Sequence, residues 1–150
     1  MKRIKEELVS RLGEIIDARI YEANASIDAA KESRDSDSKS SMGDKYETGR
    51  EMIQIEIGKY QDQLNKAVKL KKALAEITFQ KHREIVEFGS LVITDTANYF
   101  ISVGMGVIHY DEKKYLAISL ASPIGQLLEG KKTGDKIEFQ GRVSEILEIL

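Results

Sequence analysis

The side chains best placed to do chemistry in this sequence are Asp44 and Glu47, in the run Gly43-Asp44-Lys45-Tyr46-Glu47. Residues three apart on a helix share a face, so the two carboxylates could turn oxygens toward one point. The same spacing also makes a capping box, in which an N-cap Asp44 and Glu47 satisfy the first free amides of a helix and hold no ligand. The chain has no Cys, which excludes disulfides and thiolate metal sites and leaves carboxylates and two histidines as possible ligands. His82 and His109 stand far apart with no second His at ligand spacing, and both read as surface or packed residues. Asp35 and Asp37 add acidity nearby, either as part of a polar connecting loop or as extra ligands. Arg34, Lys39, Lys45 and Arg50 nearly balance that charge, which reads as a solvated face more than as a basic patch for RNA.

Two amphipathic stretches flank the pair. The first, residues 3 to about 33, has no Pro and carries Ile4, Leu8, Leu12, Ile16, Ile20, Ala23, Ile27 and Ala30, which settle into the four-three rhythm of a helix burying one narrow stripe. The second carries Ile53, Ile57, Tyr60, Leu64, Ala67 and Leu74, with Lys71 interrupting the seam. Two stripes of similar length around a Ser/Asp/Gly-rich segment predict an antiparallel coiled-coil hairpin over residues 1–85, with its tip around 34–47. Thirty residues of helix make an arm on the order of 45 Å long.

After about Phe88 the period shortens to two. The segments 90–94, 98–103, 114–120, 136–140 and 142–150 are rich in β-branched and aromatic residues and are punctuated by Gly, Asn and Asp, so they read as strands, the last two joined at Gly141. One short helix, 123–129, is signalled at both ends: Ser122 as N-cap, Pro123 at the first helical position and Gly130 just beyond. The expected fold class is therefore α+β, a helical hairpin followed by a small antiparallel sheet domain with one short helix, over 86–150.

Composition narrows the function. Apolar residues make up 41% of the chain and charged residues 32%, as suits a chain with much exposed helix. No apolar run approaches the roughly 20 residues needed to span a bilayer, and the charged amino terminus is unlike a signal peptide, so the expected setting is the cytoplasm with no membrane contact. A formal net charge of −2 argues against autonomous nucleic-acid binding; contact with RNA or DNA would need another protein to hold the strand.

The hairpin, the segment "FGSLVIT" and the run Ser122-Pro123-Ile124, Leu128, Gly130-Lys131, Gly134-Asp135 together resemble the Gre family of bacterial transcript-cleavage factors. The resemblance spans nearly the whole chain in architecture and is strongest in sequence over 86–150. It implies an FKBP-like carboxy-terminal domain that docks on RNA polymerase beside its secondary channel, with Ser122, Pro123, Ile124 and Gly125 in the docking loop. It also implies that Asp44 and Glu47, matching the family's Gly-Asp-x-x-Glu tip, help hold a second Mg²⁺ in the polymerase centre during cleavage of backtracked RNA. Two carboxylates are too few for a Mg²⁺ site of their own, which needs six oxygens. Shared with a polymerase that already holds one ion they could complete a two-metal arrangement, and the chain would stimulate a nuclease without being an enzyme.

The tip departs from the family pattern after Glu47, where "TGREM" stands in place of Asn, Ala and an aromatic. A channel-occupying regulator without cleavage activity is the alternative this suggests. A peptidyl-prolyl isomerase is a remote one, given the few aromatics and no Trp after residue 86, and a generic coiled-coil scaffold is the weakest. The chain is expected to be a monomer, with exposed positions near the tip the feature that would encourage two copies to pair.

Overall fold

The computed structural model of the chain describes residues 2–37, 44–79 and 82–150, with backbone alone at Lys2, Asp37, Asp44, Lys45 and Tyr46. Two long helices come first, α1 (Lys2–Asp37) and α2 (Asp44–Ala75). Helix α1 outruns the sequence expectation: Asp35 and Asp37 belong to its last turn, where a polar loop was expected. No Gly or Pro breaks the chain there before Gly43, and Arg34 ties the turn down by donating from Nη1 to Gln54 Oε1 of α2 at 2.9 Å and from Nε to Asp35 Oδ1 at 3.2 Å.

The chain forms two compact units, Glu14–Lys71 and Met1–Gly13 with Lys72–Leu150. In the first, α1 and α2 run antiparallel, as the pairings of Asp17 with Lys71 and of Arg34 with Gln54 require. Ile16, Ala23 and Ile27 of α1 and Ile57 and Ala67 of α2 are buried along the seam. Lys71, at a seam position, swings outward to Asp17, with Nζ 2.9 Å from Oδ1. Both side chains are more than half exposed, so water screens the pair. Lys71→Ala should therefore shift the urea unfolding free energy by no more than about 0.5 kcal/mol.

The second unit holds six strands, β1 (Leu91–Thr94), β2 (Asn98–Ile101), β3 (Gly106–Tyr110), β4 (Lys113–Ile118), β5 (Lys136–Phe139) and β6 (Arg142–Ile149), with α3 (Pro123–Leu128) between β4 and β5. They make one sheet in the order β3-β4-β2-β1-β6-β5. The sheet is mostly antiparallel, as expected, but β2 and β4 pair in parallel, Tyr99 beside Leu116 and Ile101 beside Ile118. Strand β3 makes this possible by running back along the sheet edge between them in sequence, paired antiparallel to β4 from Gly106–Ala117 to Tyr110–Lys113.

Strand β3 has no counterpart in the sequence reading. It buries only Ile108, so it shows little alternation. Its turn to β4 is Asp111-Glu112, both at positive φ (51° and 62°), in place of the Asn-Gly that normally announces such a hairpin. The β5–β6 turn is of the same kind, with Gln140 at φ 52° and Gly141 at 78°, and its Gly made it legible.

A bulge fixes the phase of β6. Opposite Ile93 and Thr94 of β1 stand Glu148 and Ile146, so Leu147 is the extra residue. It faces solvent at 51% exposure, while Ile146 and Ile149 are both buried although three apart. Strict alternation would have put one of them outside. With Val86, Val92, Ile101, Ile124, Leu128 and Ile137 they form the core over which α3 lies. Among the described residues no helix is long and apolar enough to cross a membrane.

Candidate functional site

Helix α2 begins at Asp44, which puts Asp44 and Glu47 three apart in its first turn, at the end of the hairpin opposite the last turn of α1. Whether Asp44 caps α2, as the capping-box spacing suggests, turns on a side chain and a preceding segment that lie outside the described residues. Gly43, like the rest of 38–43 including Lys39, lies outside the described residues, and so do the Asp44 and Lys45 side chains. Glu47 is exposed and borders an open hollow with Arg50, Glu51 and Gln54. Among the described residues no three His, Asp or Glu side chains converge to hold a metal ion. His82 and His109 are exposed, and His109 contributes its main-chain oxygen, which accepts from Arg11 Nη1 at 2.9 Å.

The loop before α3 is built around Ser122. Its Oγ donates to Ser119 O at 2.7 Å and accepts the Gly125 amide at 3.1 Å, capping α3, while Pro123 opens the helix where a missing N–H costs nothing. Gly125 lies so close to the segment that follows β4 that a Cβ there would stand 2.1 Å from Ser119 O. Of the four residues expected to meet a partner, Ile124 and Gly125 are buried, Ser122 is half-buried and Pro123 is exposed. Pro123 and the rim of Ser122 are thus what this loop can offer another molecule.

Sequence reasoning missed one group altogether. Lys5, in a run of charged residues, is 0% exposed. Its Nζ donates to the main-chain oxygens of Thr78 and Leu150, both at 3.3 Å. Arg83, 5% exposed, donates from Nη2 to Thr78 O at 3.1 Å and Oγ1 at 3.0 Å, and from Nη1 to Glu87 Oε1. Its Nε has no hydrogen-bond partner among the described residues. Burial first, then the Arg83 charge, lowers the Lys5 pKa from 10.5 to about 8, with Glu87 opposing. A lysine poised near neutrality can act as a nucleophile or base, but this one is sealed from any substrate. Its work is to hold the carbonyl ends of distant segments together.

That burial predicts a pH dependence. Below pH 8 both folded and unfolded chains carry the Lys5 proton, and the cost of burying the charge is borne in full. Between pH 8 and 10.5 the unfolded chain binds more protons, so stability rises with pH, by roughly 3 kcal/mol across the window. Burial raises the Tyr99 and Tyr115 pKa values, which gives the opposite slope above their ordinary range near 10. Urea unfolding at intervals from pH 8 to 10 should show the rise in the natural chain and its loss in Lys5→Met.

A cleft of about 560 Å³ opens on the sheet domain between α3 and the strands, with Tyr99, Leu116, Ile137 and Phe139 in its wall and Arg142 and Ser144 among its polar residues. The Ser144 hydroxyl is already engaged with Thr96 Oγ1 at 2.6 Å.

No family model matches the sequence, and no curated protein matches it. Among solved structures the chain is similar to one titled "Structure of the transcription factor Gfh1", with 17% identity over 91% of this chain and 92% of that one, and a TM-score of 0.36. The fold follows from the elements described above. On those elements the chain is an α+β protein, a long antiparallel helical hairpin followed by a six-stranded, mostly antiparallel sheet and one short helix.

Proposed function

We propose that this chain acts on RNA polymerase, with the hairpin tip entering the secondary channel and the sheet domain docking outside through the loop at Ser122 and Pro123. What supports this reading is that Asp44 and Glu47 of the Gre-like tip motif stand three apart within α2 (Asp44–Ala75), the spacing that puts two residues on one helix face. The resemblance in the 122–135 segment supports the docking half. Asp44 and Glu47 would each lend carboxylate oxygens to a Mg²⁺ ion shared with the polymerase, an ion that when bound makes a water acidic and screens the phosphate it attacks. This chain's own contribution is to bring the two donors in together on the long helical support of α1 and α2. The polymerase supplies the remaining ligands and does the cleaving, so the chain has no nuclease activity alone and is not itself an enzyme.

The test adds purified protein to stalled, backtracked elongation complexes in Mg²⁺ and follows the RNA 3′ end. Shortened transcripts that require both polymerase and this chain are the expected result. Binding to polymerase without shortening would instead establish the channel-occupying regulator that the "TGREM" sequence after Glu47 favours. Absence of binding would end both readings.

A further inference from the structure

Helix α2 carries a second stripe that its pairing with α1 leaves uncovered. Met52 and Ile55 are 66% and 63% exposed, and with Glu56, Lys59, Tyr60 and Gln63 they line a shallow open groove along this one helix. Met52, Glu56, Lys59 and Gln63 recur in the four-three-four rhythm of a helix seam, on a different face from the buried Ile57. We propose that this groove binds a second copy of the chain, α2 against α2 in antiparallel.

The charges on the groove choose the occupant and its register. In a two-fold pair every contact occurs twice. Setting Glu56 opposite Lys59 of the second copy also sets Lys59 opposite Glu56 of the second copy, Ile55 opposite Tyr60 and Met52 opposite Gln63. These six residues then face one another, with the two ion pairs at the centre and the exposed Met52 and Ile55 covered. Sliding the pair by one step of the seam brings Glu56 onto Glu56 or Lys59 onto Lys59, and like charges at the axis reject those registers. Among the described residues Lys59 has no ion-pair partner. Glu56 accepts only from Tyr60 on its own helix, at 2.8 Å, which leaves its second oxygen for the second copy. The contact spans few turns, so the association is weak, of the transient kind that small interfaces give. None of this rests on the polymerase reading.

The absence of Cys makes the register directly testable. Full-length Met52→Cys and Gln63→Cys chains, mixed and mildly oxidised, should cross-link to each other. Met52→Cys alone should not, because the two copies of position 52 lie about 16 Å apart along the helices. In sedimentation across a concentration series, Glu56→Lys or Lys59→Glu should each weaken self-association by about tenfold or more, and the doubly reversed chain should recover to within about threefold. Both positions face solvent in the single chain, and an unchanged helical circular dichroism signal confirms that folding is intact. A natural chain that stays monomeric at about 1 mM, Met52→Cys cross-linking as well alone as in the mixture, or a double reversal that fails to recover would each overturn the proposal.

Discussion

Asp44→Asn and Glu47→Gln should each slow polymerase-dependent RNA shortening by at least on the order of 100-fold while leaving affinity for the polymerase within about threefold. Both substitutions keep the shape of the side chain and remove its charge, so they spare the turn and take away a metal donor. If the pair only caps α2, the same variants would lose a fraction of a kcal/mol of helix stability, about 0.3–1, with no effect on cleavage beyond it. A steric regulator would likewise keep its effect. Single-turnover cleavage of a defined backtracked complex, with binding measured separately by competition, distinguishes these cases. Retained cleavage in the double variant would remove the metal role from both residues. Raising Mg²⁺ should partly restore the singly substituted chains, because the loss is in holding the ion.

Gly125→Ala should cost about 3 kcal/mol of stability in the sheet domain. The added Cβ would stand 2.1 Å from Ser119 O and 3.0 Å from Leu120 Cα. Main-chain atoms cannot swing aside as a side-chain end can, so α3 must lift from the Ser119–Leu120 segment that follows β4. That movement would also strain the Ser122 cap, since Ser122 Oγ is bonded to both Ser119 O and the Gly125 amide. Far-ultraviolet circular dichroism is dominated by α1 and α2 and would miss the change. The near-ultraviolet signal of Tyr99 and Tyr115, buried or half-buried in the sheet domain, should lose amplitude at lower urea than in the natural chain. An unchanged midpoint would mean that α3 shifts freely on the sheet.

What proved legible from sequence was local. A helix announces itself through neighbours three and four apart, so α1 and α2 and their antiparallel pairing could be read from Ile16 to Ile27 and from Ile53 to Ala67. Helix α3 could be read from Ser122, Pro123 and Gly130, because caps are chosen by backbone groups within one turn. The candidate tip pair was legible as residue types and spacing, and its resemblance to a known motif lent it a role that spacing alone does not.

Tertiary structure decided whatever depends on residues far apart in the chain. Lys5 is buried because the carbonyls of Thr78 and Leu150 meet its ammonium, and no window around residue 5 contains either. Strand β3 exists because β4 gives it a ladder, although its own alternation and its Asp111-Glu112 turn say little. Leu147 is outside and Ile149 inside because the register of β1 forces a bulge, and Gly125 is irreplaceable because Ser119 returns to within contact distance. Side-chain periodicity is written into the chain by backbone geometry, whereas burial, register and close approach are written by the partner segment.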